Sequence, residues 1–187
     1  MNIQSEENGG AMVDWKDLLI ESYGSAFRVL EQALQELTQE DLNWQPRFDC
    51  NSIGWTTWHL TRVLDGLMSS IMGEEELWIK DRWHSKFNRS PDTADHGYGP
   101  SPEQVALLEC PDIDTLLNYL QAVLERSKSY LATLSRSDLS RKVDDSRSQL
   151  FPTVGSRLTV ILDELLQHAG QVGYIRGLIH GKGWQEF

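Results

Sequence analysis

The segment ILDELLQHAGQVGYIRG, residues 161–177, decides how the rest of the chain is read. Ile161, Leu165, Val172 and Ile175 recur at helical spacing and form one broad apolar stripe, with His168 inside it. Glu164, His168 and Gln171 follow one another at steps of four and three, which places them on or at the edge of that stripe. Asp163, Gln167 and Gly170 fall on the opposite, solvent side. A carboxylate turned towards a core is costly unless it is paired or bound to a cation. The segment is thus a bundle helix whose polar seam needs a partner.

Three other segments carry the same helical period. The first runs from about Asp14 to Leu37 and lines up Trp15, Leu19, Tyr23, Leu30 and Leu34. The second opens at Asn51 or Ser52, either a good N-cap, and continues to about Met72. Its inner face is Ile53, Thr56, Leu60, Val63, Leu67 and Ile71, with His59 inside that stripe. The third follows GPSP (99–102) and CPD (110–112) and carries Ile113, Leu116, Leu120, Leu124 and Leu131. The fourth begins near Thr153 or Ser156 and runs to about His180, where GKG stops it. No convincing pair of alternating strands occurs, although 149–153 suits a short extended piece. Four amphipathic helices of about 20 residues predict an all-α four-helix bundle. Its connections are long. The link 73–112 includes Trp78, Trp83, His84, Phe87 and His96, and a cap over one end of the bundle is a role open to it.

A chain of 187 residues with 40% apolar and 24% charged residues suits one folded domain, here 13–187, rather than a disordered polymer. The polar, acidic stretch 1–12 lacks a signal-peptide segment and reads as a flexible tail. A net charge of −11 argues against nucleic-acid partners and against an anionic membrane surface. No apolar run reaches the roughly 20 residues needed to span a bilayer. Cys50 and Cys110 lack metal or disulfide spacing and read as free thiols of a cytoplasmic protein.

Glu164 and His168 stand one turn apart and can converge on one ion, and His59 adds a third ligand if the second and fourth helices are neighbours. Two His and one carboxylate with open positions suit catalytic zinc, while nickel and iron(II) accept the same set. The alternative on the residues alone is an internal hydrogen-bonded cluster without metal.

Two longer motifs carry a resemblance. LTQEDLNWQPRFDCNSIGWTTWHLTRVLDG (37–66) resembles the approach to the second helix of the DinB/YfiT-like family. LTVILDELLQHAGQVGYIRGL (158–178) resembles that family's last helix, and the likeness spans most of Asp14–Leu178. The resemblance implies a bacterial metalloprotein with an up-up-down-down bundle and with His59, Glu164 and His168 as ligands. Many relatives hold the metal with three His. Glu164 departs from that pattern and matches the His–Glu–His set of the mycothiol-dependent maleylpyruvate isomerase-like branch. By implication the partner is a small-molecule substrate or low-molecular-weight thiol, the activity is thiol-dependent transfer, and homodimers through a bundle face are admitted. A non-enzymatic metal-binding or stress-response module is the alternative. The isomerase has an additional C-terminal domain, whereas this sequence stops at Phe187, so maleylpyruvate isomerisation itself is not expected.

Among the remaining candidates, Gln171 and Arg176 are read either as orienting or substrate-binding groups or as boundary residues. Arg62 and Asp65 are read as a surface pair, and His84 and His96 as surface histidines. His180 suits the C-terminal end of a helix dipole, and Trp44, Trp55 and Trp58 are read as core. No nucleophile elbow, phosphate loop or dinucleotide fingerprint is present.

Overall fold

Each long helix starts on the side-chain cap that the sequence offers it. The structure, a computed structural model, describes residues 14–97 and 110–185; the 1–12 tail lies outside them. Asp14 caps α1 (Trp15–Leu34) in a capping box with Asp17. The helix stops three residues short of Leu37: Gln35 leaves it with ψ 139°, and Glu36 then takes a left-handed conformation, φ 60°. Thr38 then starts the short α2 (Gln39–Asn43). Ser52 Oγ accepts the Trp55 amide at 3.1 Å to open α3 (Ile53–Met72). Two single-turn helices, α4 (Leu77–Lys80) and α5 (Trp83–Lys86), follow. Asp112 caps α6 (Ile113–Thr133) and Thr153 caps α7 (Val154–His180). A 3-10 turn at Arg136–Ser140 lies between them, and the extended piece expected at 149–153 is reduced to one antiparallel bridge, Lys142 to Thr153. Among the described residues the chain is all-helical, and no helix is long and apolar enough to cross a membrane.

Both α1 and α3 pack on α6 and α7, giving the ring order α1, α7, α3, α6. Side-chain pairs fix the directions. Ser70 and Arg157 meet at one end of the α3–α7 pair, and His59 and His168 meet towards the other, so these helices are antiparallel. Asp65 touches Tyr119, Ser69 touches Arg126 and Ile71 touches Tyr130, so α3 and α6 run parallel. The last turn of α1 faces the first turn of α6 and the last turn of α7. The bundle is therefore up-down-down-up, not the expected up-up-down-down. The path of the chain after α3 is the physical reason.

That path runs back along α3 rather than over one end. Trp78, Trp83 and Phe87 are buried around Tyr119, with ring centroids 5.7, 5.1 and 5.9 Å away. By Asp95 and His96 the chain has returned to the level of Arg62 and His59. The 13 residues between His59 and Met72 correspond to about 20 Å of helix. By Cys110 the chain packs against Gly54 at the start of α3, which lets α6 set off in the same direction as α3.

Covered by α6, α7 and this returning segment, α3 is buried on every side from Ser52 to Ser69. Its hydroxyls are satisfied within the helix: Thr56, Thr57 and Thr61 donate to the carbonyls of Ser52, Ile53 and Thr57 at 2.7–2.9 Å. Arg62 and Asp65, read as a surface pair, are each 1% exposed. The Asp65 carboxylate accepts the Leu77 and Trp78 amides at 3.0 and 2.8 Å and the Tyr119 hydroxyl at 2.8 Å. Arg62 donates to Glu76 at 2.8 Å and to the carbonyls of Asp95 and Thr93 at 3.0 and 3.3 Å, with its guanidinium 4.5 Å above the Trp78 ring. Both charges are thereby compensated, and both clamp the returning segment onto α3.

Candidate metal centre

Helix geometry brings the polar seam of α7 against His59 of α3. The ring centroids of His59 and His168 lie 5.0 Å apart at 88°. Glu164 Oε2 stands 3.0 Å from His168 Nε2 and 3.9 Å from His59 Nε2. His59 is 4% exposed, and Glu164 and His168 are half-buried. Asp163, Gln167 and Gly170 are exposed, as the helical period requires. One donor atom from each of His59, Glu164 and His168 lies within 4.8 Å of the other two, the one such group among the described residues.

The orientation of the imidazoles suits a ligand role. His59 Nδ1 hydrogen-bonds the main-chain carbonyl of His96. A carbonyl only accepts, so Nδ1 carries the proton and the Nε2 lone pair faces Glu164 and His168. His168 repeats the arrangement, with Nδ1 donating to Gln171 Oε1 at 2.8 Å. The plane of His59 is fixed by Trp55, stacked at 4.8 Å and 14°, and by Gly97 behind it. Gly97 has φ +84°, and a Cβ there would lie 2.9 Å from Trp55 and 3.0 Å from His59 Nδ1.

Electrostatics separate the two histidines. Burial pushes His59 below the usual imidazole range, outweighing the His96 carbonyl, so it stays neutral. Burial also disfavours charge on His168, but its contacts with Glu164 and Gln171 raise it overall. A neutral His, a second His whose proton Glu164 attracts, and a carboxylate make a set of borderline donors. Ligand atoms of a tetrahedral zinc with bonds of about 2.0–2.1 Å stand roughly 3.3 Å apart, so the three groups need only close in slightly. The residues present fit a divalent cation. Among the described residues no fourth protein ligand joins them to close the site as in a structural zinc centre.

The other candidates divide by position. Gln171 orients His168, whereas Arg176 lies two turns further along α7, buried with its Nε and Nη1 atoms unmet. His96, read as a surface histidine, is half-buried and serves through its main-chain oxygen. No side-chain signal could have marked that role, because every residue type has a carbonyl. His84 is half-buried beside Trp78. Trp55 and Trp58 are core, but Trp44 is 39% exposed. His180 pairs with Asp41 at 3.0 Å. Both cysteines are unbridged; burial pushes the Cys110 thiol up to about 12, out of reach of thiolate chemistry.

One helical turn from the triad, Val63, Leu67, Leu150, Phe151 and Val160 line a mostly apolar cavity of about 320 Å³ with His96 and Arg147 at its polar edge. Val63 follows His59 by four residues and Val160 precedes Glu164 by four.

The sequence matches the family profile described as the DinB superfamily over residues 23–172. The crystal structure of a conserved protein from Enterococcus faecalis is similar, with a TM-score of 0.81 and 29% identity. The likeness covers 91% of this chain and 100% of that one. No curated protein matches the sequence.

Proposed function

This chain belongs to the DinB superfamily, and on that footing we propose that His59, Glu164 and His168 hold a divalent metal for thiol-dependent group transfer. The convergence of three ligand groups, two with their Nδ1 atoms already engaged elsewhere, carries this reading. Zinc is the first choice for two His and one carboxylate, with nickel and iron(II) next. A cation held there would supply Lewis acidity, favouring the thiolate form of a low-molecular-weight thiol at neutral pH. The chain's own residues do the rest. The His96 carbonyl and Gln171 aim the two imidazoles, Trp55 holds the ring of His59, and the neighbouring cavity is sized for the apolar part of a small electrophile. Glu164 matches the ligand pattern of the mycothiol-dependent isomerase-like branch, which supports a thiol as co-substrate in a cytoplasmic setting.

Elemental analysis of freshly purified, untagged protein should find about one equivalent of transition metal, falling below roughly a tenth in Glu164→Gln and His59→Ala. Less than a tenth in the wild type after reconstitution would instead leave a hydrogen-bonded cluster. With cobalt in the site, a candidate thiol should change the visible spectrum. A spectrum that no thiol perturbs, with no conjugation to electrophiles, would favour the second reading: a metal-binding interaction module. Leu166, Tyr174 and Leu178 on the outer face of α7 are 56%, 71% and 49% exposed, which is the surface such a module would use.

A further inference from the structure

The groove between α3 and α7 continues past the triad into the cavity of about 320 Å³. Val63 and Leu67 follow His59 at steps of four along α3 and so share its side, and Val160 joins them from α7. Phe151 adds an aromatic ring, and Leu150, 75% exposed, stands at the mouth. Burial first, and Arg147 second, lower the His96 imidazole, which is therefore neutral. Among the described residues that line this space, Arg147 is the one charge.

Arg147 enters from the loop before α7. Its amide donates to Asp145 Oδ1 at 2.8 Å, and Asp145 is pinned in turn by Arg157 at 2.6 and 2.7 Å. The guanidinium lies over Gly66, where a Cβ would stand 3.4 Å from Nη2 and 3.8 Å from Nη1. Gly66 directly precedes Leu67, so the charge rests at the edge of the apolar space. Arg62, Arg89, Arg126 and Arg157 each bind a carboxylate at 2.5–3.0 Å. Arg147 forms no ion pair among the described residues, and its side chain donates no hydrogen bond there. Glu76 shares the Gly66 surface, but Arg62 holds its carboxylate at 2.8 Å. Arg147 is half-buried and lines the cavity, so a ligand that enters can reach it.

We infer that this cavity binds the electrophile of the proposed transfer, and that this electrophile is an apolar monocarboxylic acid whose carboxylate sits on Arg147. A water-soluble thiol brings polar groups that mostly apolar walls would leave unmet, so the space suits the other reactant. The planar fork of one arginine matches one carboxylate. A second negative charge is disfavoured, because Arg147 also borders a hollow lined by Glu74, Glu75 and Glu76. The architecture sets a length as well. Gly66 stands seven residues beyond His59, about 10 Å of helix, so an apolar body separates the carboxylate from the reacting carbon at the triad. Calling the acid a substrate rests on the group-transfer reading; its binding does not.

The test uses octanoate, octanamide and butanoate as unreactive probes of the full-length protein. Octanoate should shift the methyl resonances of Val63, Leu67 and Val160 and saturate them. Octanamide, which lacks the charge, and butanoate, which lacks the length, should each bind at least about tenfold more weakly. Arg147→Met should weaken octanoate about tenfold and leave octanamide unchanged, while Val160→Phe, which fills the cavity, should weaken both. If Arg147→Met does not fold, the wild-type ratio of octanoate to octanamide and the Val160→Phe variant decide. Equal affinity for acid and amide, undiminished octanoate binding in a folded Arg147→Met, or saturation only at the exposed Leu166 and Leu178 would overturn the proposal. Metal content enters none of these readouts. Octanoate binding without metal would leave the cavity standing and sink the transfer reading, and metal without octanoate binding would do the reverse.

Discussion

The Nδ1–H of His59 donates to the main-chain carbonyl of His96, 37 residues further along the chain, and this bond ties the candidate metal centre to the segment that returns along α3. The carbonyl is positioned by its neighbours: Arg62 binds the oxygen of Asp95, and Gly97, at φ +84°, sits close against the imidazole.

Gly97→Ala should therefore damage the site more than the fold. The new Cβ would lie 2.9 Å from Trp55, 3.0 Å from His59 Nδ1 and 3.1 Å from Trp58, at a φ of +84°. The carbonyl of His96 must move. Losing the orienting partner of a metal-ligating histidine costs about 10–100-fold in metal affinity. Competition with a chromophoric chelator measures this; an unchanged affinity would show that the carbonyl does not orient a ligand.

Gln171→Ala removes the corresponding partner of His168 but should cost less, about tenfold, the lower end of such effects. Gln171 is exposed, and water can take its place at Nδ1. Measured side by side, the Gly97 variant should be the weaker binder of metal. The reverse order would mean that His168, not His59, is the ligand whose orientation is decisive.

Metal affinity should fall as pH drops through the raised pKa of His168, because that imidazole must release a proton to coordinate. His59, lowered by burial, is neutral there, so the proton that the metal displaces should come from His168, at pH values below its raised pKa. In the metal-free protein the two histidines pull stability in opposite directions. The raised group, His168, contributes stability that is full below the ordinary imidazole value and is lost as pH rises through its folded value. The depressed group, His59, contributes stability present above the ordinary value and lost as pH falls through its lower folded value. Calorimetry in two buffers of different ionisation enthalpy counts the protons. Release of none would place the metal elsewhere.

Arg62→Met should be among the most destabilising single changes in the chain. It leaves Glu76 without its strongest partner, Asp65 short of a nearby cation at 3.7 Å, and two carbonyls of the returning segment without donors. Removing one member of a buried ionic cluster costs about 3–5 kcal/mol. Urea unfolding reads the loss, and hydrogen exchange should show the 74–97 amides affected first.

The sequence carries the helices and the triad in local terms. N-caps at Asp14, Ser52, Asp112 and Thr153 and the stops at Gly73 and Gly181 are set by nearest neighbours. The Glu164–His168 pair is an i, i+4 relation that helix geometry fixes, and His59 joins it because it lies on the inner stripe of α3. What periodicity could not provide was the order of helix directions, which depends on where a 40-residue connection goes. The same connection explains the misreading of Arg62 and Asp65. Amphipathic reasoning assumes that the far side of a helix is wet, and here that side is roofed. One signal was available: these are the only two charges in the twenty residues of α3, a composition that suits a helix buried all round.

Because α3 is roofed by a segment that also holds its histidine, ligand exchange at the triad becomes a kinetic report on local opening. Arg62 and Asp65 fasten the roof one and two turns along from His59, and His96 ends it on the imidazole itself. A bound ion then leaves at the pace at which that flap unlatches, a partial unfolding with its own free energy well below that of the whole domain. Two proteins with identical ligands but different latches would differ in residence time while coordinating the same ion in the same way.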